Sequence, residues 1–412
     1  MRGTIKTVSV WALIILAPAG LWAQDATTDS LKERMDETAG KVAGLEERLG
    51  IAETDIAGLK KLKISGYVQA RYEYHDDASS GPLQGTVSTT SSNQGKLLNR
   101  FFIRRGRVKT TYQATPHALG VVYFDGSASG VSLKEAYVAV TEPRSKVTTT
   151  LGQFNWLFGY EISFSSSKRE FPERARWSRA LFPGERDRGI KLERPFLLMG
   201  KYNLNLQAGV YNGNGIDDRN FVDKDPNKWK DFIGRAAFGL GHLDFGLSGY
   251  WGKQFNPKDS ASPLSPSTTD KIRYGADAQF FYELPVVGGG VLKAEGVLAK
   301  EPKNQSKPFL SRDTTRDAAG FNVVWAQNLK EKFQWISRVD FYDPDQDIDK
   351  DHFITYGFGL IYFWDGASKL KLVYEIPKSF VNSRSGTVTN PLTSVKEDEK
   401  DNILTLEWVY TF

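Results

Sequence analysis

The sequence has no cysteine, which excludes disulfides, thiolate metal sites and cysteine nucleophiles together. Its mean hydropathy of -0.41 excludes a bundle of membrane helices, since no stretch after the amino terminus is apolar enough to span a bilayer. The net charge of +5 is small for 412 residues, whereas a dedicated nucleic-acid-binding protein usually concentrates its basic residues in one footprint. We therefore expect no cofactor and no nucleic-acid partner. A soluble exported protein and an outer-membrane barrel remain as classes.

The amino terminus has the three-part pattern of a secretory signal peptide. Two cations, Arg2 and Lys6, precede a short apolar run, and small residues follow at Ala19 and Ala23. The pattern predicts a signal peptide over residues 1–23, cleaved after one of these alanines. An uncleaved anchor is the alternative, but the apolar run is short for a membrane span.

The next segment shows a heptad pattern, in which apolar residues recur at spacings of four and three. The seam positions are Leu31, Met35, Thr38, Val42, Leu45, Leu49, Ala52, Ile56 and Leu59. In this register Lys41 faces Glu46 of a parallel neighbour, and Arg48 faces Glu53. The pattern predicts a periplasmic coiled coil over residues 25–62 and a parallel oligomer. The choice of seam residues favours two chains rather than three, and a single helix lying along another surface is the alternative.

After Lys63 the hydrophobic period changes to two. In ISGYVQARYEY, residues 64–74, apolar residues such as Val68 alternate with polar residues such as Gln69. Sixteen segments share this alternation, and an even strand number is typical of bacterial outer-membrane barrels. The predicted strands are 64–74, 97–112, 118–125, 132–141, 146–157, 188–197, 202–212, 231–240, 243–255, 271–282, 290–300, 317–327, 332–342, 351–364, 368–377 and 401–412. We predict an all-β, sixteen-stranded antiparallel porin barrel over residues 64–412.

The predicted connections alternate long with short along the chain. The long stretch 158–187 is followed by the turn LLMGK, for example, and 213–230 by GLGH. Outer-membrane barrels have long exterior loops and tight periplasmic turns, whereas a soluble sandwich has no reason to alternate so regularly. The amphipathic last strand, ILTLEWVYTF, ends in Phe412, as is typical of barrels delivered to the outer membrane. We therefore expect the apolar face to contact outer-membrane lipid.

A row of cations on the second predicted strand raises the question of what the lumen carries. In FFIRRGRVKT, residues 101–110, Arg105, Arg107 and Lys109 share the inward face and Arg104 falls on the opposite one. They would follow the strand at steps of about 6 to 7 Å, near the Debye length, so a permeant anion could be passed from one to the next. The alternative is that they pair with lumen carboxylates and brace the wall. The same face assignment adds Arg71, Arg235 and Arg273 to the candidate pore-lining cations.

The longest aromatic and charged insertion lies between the fifth and sixth predicted strands: GYEISFSSSKREFPERARWSRALFPGERDRG. In a barrel of this size the third exterior loop is expected to fold into the pore and narrow it. Guanidinium groups suit phosphate geometry better than point charges do. The alternative is a solvated surface loop whose charges cancel.

Three stretches resemble the phosphate-selective porin O and P family. FFIRRGRVK resembles its arginine-rich second strand, LGQFNWLFGYE with FPERARWSRALFPGERDRGIKL its constriction loop and flanking strands, and VYNGNG the start of the next loop. The resemblance extends from Ile64 to Phe412. It implies a trimer of sixteen-stranded barrels that passes anions, with phosphate or polyphosphate as the solute of the namesake members.

The resemblance also assigns candidate anion-binding residues. They are Arg105 and Arg107 from the strand, and Lys168, Arg169, Arg174 and Arg176 from the loop. The acids interleaved through the loop and the coiled coil depart from the family's pattern.

The sequence favours a passive outer-membrane diffusion channel with an arginine-biased lumen. A non-selective porin, or one for sugars or other solutes, is the alternative. A structural tether, in which the coiled coil bridges part of the periplasm, is compatible with either. An enzyme is disfavoured because the chain has only four histidines, and the one acid-base candidate is His75 beside Asp76 and Asp77.

Overall fold

The structure is a computed structural model that describes residues 25–76, 99–128, 130–216, 228–256, 267–302, 315–348, 352–379 and 402–412. The predicted signal peptide lies outside the described residues. The chain divides into a helical unit that ends at Lys61 and a barrel unit, Leu62–Phe412.

The helical unit contains α1, Asp25–Leu59, which confirms that the heptad region is helical. Of its seam side chains, Met35 is 70% exposed and Leu45 is 60% exposed. The coiled coil itself stays a prediction. Among the described residues, no helix combines the length and the apolar character that a membrane span requires.

All sixteen predicted strands are present, and one short helix, α2 (Arg176–Leu181), lies between the fifth and the sixth. The strands are β1 (Leu62–His75), β2 (Asn99–Thr115), β3 (Ala118–Ser127), β4 (Gly130–Thr141), β5 (Thr148–Asn155), β6 (Arg186–Leu198), β7 (Tyr202–Tyr211), β8 (Asp231–Gly239), β9 (Leu243–Asn256), β10 (Ser267–Leu284), β11 (Gly288–Pro302), β12 (Thr315–Leu329), β13 (Phe333–Asp343), β14 (Phe353–Phe363), β15 (Ser368–Ser379) and β16 (Ile403–Thr411).

The strands form one closed antiparallel barrel in which each strand pairs with its neighbours in sequence and β1 also pairs with β16. Gly66 and Phe412 exchange two backbone hydrogen bonds at this seam, of 2.9 and 3.0 Å. A Cβ atom on Gly66 would stand 2.6 Å from the Phe412 ring, so the closure requires glycine there. A closed barrel satisfies the backbone groups of every strand, which a bilayer demands.

The two faces of the sheet follow the predicted assignment. Phe280 and Trp408 are about half exposed on the outside, whereas Arg105 and Arg107 are 4% and 6% exposed. An apolar outer surface over a polar interior is the pattern of a membrane barrel and the reverse of a soluble sandwich. The prediction of a transmembrane barrel is therefore confirmed in its architecture.

The connections also follow the predicted alternation. Seven tight connections, beginning with β2–β3 and ending with β14–β15, lie at one end of the barrel, which we call the short-turn end. The longer connections lie at the opposite, long-loop end. The β3–β4 connection is the exception, since only two residues separate Ser127 from Gly130.

Candidate functional site

The connection between β5 and β6, residues 156–185, lies inside the barrel, and we call it the constriction segment. It reaches the far wall through three hydrogen bonds: Gly159 N to Ser248 Oγ on β9 (3.0 Å), Trp177 Nε1 to Asn322 Oδ1 on β12 (2.8 Å) and Arg176 N to Asp340 Oδ2 on β13 (2.7 Å). The prediction that this segment folds into the pore is confirmed.

Three aromatic side chains of the segment rest on glycines of the inner wall. A Cβ atom on Gly275, Gly320 or Gly357 would stand 2.6, 2.3 or 2.6 Å from the nearest atom of Phe158, Trp177 or Phe171, respectively. Larger residues at these wall positions would push the segment toward the centre of the lumen. Glycine is therefore what lets the segment pack closely against β10, β12 and β14.

Glu173 is the electrostatic centre of the segment. Its Oε1 accepts hydrogen bonds from Arg71 Nη1 (2.9 Å) and Arg104 Nε (2.7 Å), and its Oε2 accepts one from Arg105 Nη2 (3.0 Å). Its backbone carbonyl accepts a fourth from Arg338 Nη1 (2.7 Å). Burial would raise the pKa of Glu173, but the charges of Arg104, Arg105 and Arg71 hold that pKa well below its usual range.

A β-bulge explains how two consecutive arginines reach the same carboxylate. Gln69 of β1 pairs with Arg105, but Ala70 pairs with Ile103, so Arg104 is the extra residue on β2. The sequence prediction placed Arg104 on the outward face, and that was wrong. The bulge shifts the alternation by one residue, so that Arg104 also reaches the lumen.

The three cations predicted as a column are each paired with a carboxylate. Arg105 pairs with Glu173 (3.0 Å), Arg107 with Asp125 (2.9 Å) and Lys109 with Glu135 (3.3 Å). Because the pairs are buried or half-buried, they brace the wall and reduce the field of each cation. The geometry therefore fits cations that pair with lumen carboxylates and brace the wall better than it fits a row of free cations.

A cavity of about 950 Å³ lies between the constriction segment and the short-turn end. Its wall includes the beginning of β1, the β14–β15 turn and the end of β16. Nine basic side chains but only two acidic ones line it. The basic residues are Lys63, Arg107, Lys109, Lys168, Arg174, Arg186, Lys191, Arg235 and Lys369, and the acidic residues are Glu135 and Asp365.

Three of these basic side chains form no ion pair with a carboxylate in the part of the chain that the structure describes. Lys63, Lys168 and Lys369 lie outside every ion pair formed there. They come from three different elements: the start of β1, the constriction segment and the start of β15. The cavity therefore has more basic than acidic side chains, and three of the basic ones lie outside any ion pair of the described residues.

The ten sequence-predicted residues divide into two groups. Five of them line the cavity: Arg107, Lys109, Lys168, Arg174 and Arg235. The structure places Arg71 and Arg105 at Glu173, Arg176 over the ring of Phe353 at 3.6 Å, Arg273 at Glu301, and Arg169 in a separate buried position.

Arg169 is 4% exposed, and none of its three guanidinium nitrogens has a hydrogen-bond partner among the described residues. Burial, together with the neighbouring charges of Arg174 and Arg105, lowers its pKa to about 9 against the opposing effect of Glu173. A buried cation without an acceptor is energetically costly unless an anion is near.

Sequence reasoning missed Glu173 as the partner of the arginines, and it missed Lys63 as a residue of the cavity. The partner of Arg105 is 68 residues away, so no local pattern identifies it. Lys63 is the second residue of β1, and it lines the cavity only because the barrel closes.

His75, the acid-base candidate, lies at the end of β1 and is 4% exposed. Asn402 Nδ2 donates a hydrogen bond to Oδ2 of the neighbouring Asp76 (2.9 Å). Asp77 lies outside the described residues. His117 and His242 are in turns at the short-turn end, far along the barrel from His75.

No family model matches the chain. No curated protein matches it either. Solved structures do match the barrel over most of its length.

The outer membrane channel DcaP of Acinetobacter baumannii is 12% identical with a TM-score of 0.57, covering 85% of this chain and 97% of that chain. The anion-selective porin from Comamonas acidovorans is 13% identical with a TM-score of 0.54, covering 85% and 99%. OmpT, an outer membrane protein of Vibrio cholerae in a trimer form, is 9% identical with a TM-score of 0.54, covering 85% and 99%. At these identities the similarity shows the fold, which is that of outer-membrane porins.

Proposed function

We propose that this protein is a passive diffusion channel of the bacterial outer membrane that favours anions. The observation that carries the proposal is the cavity, where nine basic side chains face two acidic ones. A narrowed lumen lined by one sign of charge raises the local concentration of the opposite ion. The porin fold supports a channel, since its likeness extends over 85% of the chain.

Lys63, Lys168 and Lys369 are the proposed contact points for a permeant anion. A lysine is a flexible point charge, so it attracts an anion without the fixed two-point grip of a guanidinium. Conduction requires binding that is favourable enough for the ion to enter and weak enough for it to leave. Three such lysines around one cavity meet both conditions.

We propose inorganic phosphate, polyphosphate or another small anion as the solute. The support for phosphate is the resemblance of FFIRRGRVK and the constriction segment to phosphate-selective porins. We further propose a homo-oligomer, a trimer by the same resemblance, with α1 as a parallel coiled coil in the periplasm. The heptad seam of α1 and the trimer form of OmpT support this assembly.

Reversal potentials of the purified protein in planar bilayers test the proposal. In a potassium chloride gradient we expect chloride to be more permeable than potassium, and phosphate to carry current when it replaces chloride. A preference for cations would contradict the anion channel. Equal permeability, with sugar flux in liposome swelling, would favour the alternative of a non-selective or sugar porin.

A further inference from the structure

We propose that Glu173 is a built-in occupant of an anion-binding seat formed by Arg71, Arg104 and Arg105, and that it limits how tightly the channel holds a phosphate or carboxylate group from solution. This makes Glu173 a specificity-determining residue of the pore. The inference rests on the proposed function, since it concerns how strongly a permeant anion is held.

The seat has the donor geometry that an oxyanion requires. Three guanidinium groups donate to the two Glu173 oxygens over 2.7 to 3.0 Å, the range of charge-assisted hydrogen bonds. A phosphate offers the same oxygen acceptors with more negative charge. The Glu173 carboxylate therefore stands where the oxygens of a solute anion would accept the same bonds.

Two of the three arginines depend on Glu173 alone for their counter-charge. Arg71 also pairs with Glu407 and with Glu73 (3.4 Å). Glu173, by contrast, is the only carboxylate within ion-pair distance of Arg104 and Arg105 in the described part of the chain. Neutralising Glu173 would leave two cations without a counter-charge, and a solution anion would relieve that cost.

Arg169 adds to the positive charge beside the seat. Its guanidinium nitrogens are buried without an acceptor among the described residues, and the charges of Arg105 and Glu173 both act on it. In the intact protein Glu173 thus has more cations around it than its single negative charge neutralises. The excess makes the position of Glu173 attractive to a second anion once its own charge is removed.

The constriction segment does not depend on the Glu173 side chain alone to stay in place. Arg71 Nη2 donates to the Pro172 carbonyl (2.8 Å), and Arg338 Nη1 donates to the Glu173 carbonyl (2.7 Å). Phe171 rests on Gly357. These backbone and packing contacts survive a change of the carboxylate to an amide, so Glu173→Gln should remove the negative charge from the seat without releasing the segment.

The seat lies next to the cavity along β2. Arg105 and Arg107 are one inward step apart on β2, about 6 to 7 Å along the strand, and Arg107 lines the cavity. An anion in the cavity is therefore close to the seat, but the Glu173 carboxylate already occupies it. In the wild-type channel we expect only weak retention of phosphate, through the cavity lysines.

The test measures how inorganic phosphate blocks the chloride current of the full-length protein in planar bilayers. For Glu173→Gln we expect the half-blocking phosphate concentration to fall about tenfold or more below the wild-type value, because Arg104 and Arg105 lose their counter-charge and a neutral amide competes for their donors less well than a carboxylate does. The double variant Glu173→Gln with Arg105→Ala should lose most of that gain.

Glu170→Gln is the matched control. Glu170 lies three residues earlier in the same segment and pairs with Lys293 at 2.7 Å, away from the seat. This variant removes the same charge from the lumen but unpairs one lysine rather than two guanidinium groups, so we expect a smaller tightening of the phosphate block. Equal tightening in both variants, or none in Glu173→Gln, would overturn the inference.

If Glu173→Gln does not fold, a second variant keeps the test possible. Folding is checked by the change in gel mobility that heating causes in a folded barrel. Glu173→Asp keeps the charge but shortens the side chain by one methylene, so its grip on Arg105 weakens and an intermediate tightening is expected. An unchanged half-blocking concentration in Glu173→Asp would then refute the seat. A wild-type preference for cations would instead refute the proposed function itself.

Discussion

Trp177 lies directly over Gly320, so that a Cβ atom built on the glycine would stand 2.3 Å from the tryptophan Cβ. The indole nitrogen of Trp177 also donates a hydrogen bond to Asn322 Oδ1 (2.8 Å), on the same strand. The tryptophan is fully buried by these contacts. Together they hold the constriction segment against the wall opposite its own strands.

Gly320→Ala should displace the segment, because neither the strand backbone nor the Trp177 Cβ can give way cheaply. We expect an altered single-channel conductance and a loss of about 1 to 3 kcal/mol in the free energy of unfolding, the usual cost of overpacking. Gly120→Ala on β3 is the control, since a Cβ there meets no atom within 4 Å. Unchanged conductance in Gly320→Ala would show that this contact does not set the pore width.

Charge reversal of the cavity lysines should change ion selectivity. We expect Lys168→Glu together with Lys369→Glu to lower the chloride-to-potassium permeability ratio severalfold, because two basic side chains of one cavity are replaced by acidic ones. The measurement is the reversal potential in a salt gradient. Lys332→Glu, an exposed residue of the β12–β13 turn outside the cavity, should leave the ratio nearly unchanged. A ratio that fell equally in both variants would locate the selectivity outside the cavity.

Acid should release the constriction segment only at low pH. Burial opposes ionisation of Glu173 and Glu185, but the arginines around them hold the pKa of each below its usual range. A carboxylate with a lowered folded pKa stabilises fully above its unfolded pKa of about 4.3, and this contribution is lost as the pH falls through the folded pKa. We therefore expect the hydrogen-exchange rates of residues 156–185, corrected for the intrinsic pH dependence of exchange, to stay constant from about pH 8 to 5. They should rise only in stronger acid. Release already between about pH 7 and 5 would contradict these two anchors.

The barrel could be predicted from the sequence because its information is local. The alternation in β16, for example, places Leu404, Leu406 and Trp408 on one face whatever the rest of the chain does. Closure then follows from an even number of strands that each pair with the next. The bulge at Arg104 could not be predicted, because one extra residue in a short strand does not visibly change the alternation of apolar and polar residues.

The pairing of the cations could not be predicted, because it depends on contacts between distant elements. Arg71 meets Glu407 across the closing seam, and Arg105 meets Glu173 only after the constriction segment has folded inward. The sequence shows that cations lead in number but not which of them are neutralised. Lys168 was predicted from the loop, and its lack of a partner among the described residues became visible only in the structure.

The absence of cysteine from the chain permits a direct test of the proposed coiled coil. Leu49 is a seam position and is 59% exposed in the single chain, whereas Glu47 falls on the outer side of the preceding heptad. In a parallel coiled coil, identical seam positions of two copies lie within the Cα separation of about 4.4 to 6.8 Å that a disulfide requires. We expect Leu49→Cys to link copies of the protein under oxidising conditions, and Glu47→Cys to link them far less.

The number of chains follows from the same gel. A two-chain seam converts nearly all Leu49→Cys protein to the linked form, whereas a three-chain seam leaves about one chain in three unlinked, because a disulfide joins only two sulfurs. The choice of Val42 and Ile56 at a positions favours the first outcome, and the resemblance to trimeric porins favours the second. Equal linking of Leu49→Cys and Glu47→Cys would show that the seam is not an interface. In that case the exposed leucines of α1 would have to pack against something other than a second copy of this chain.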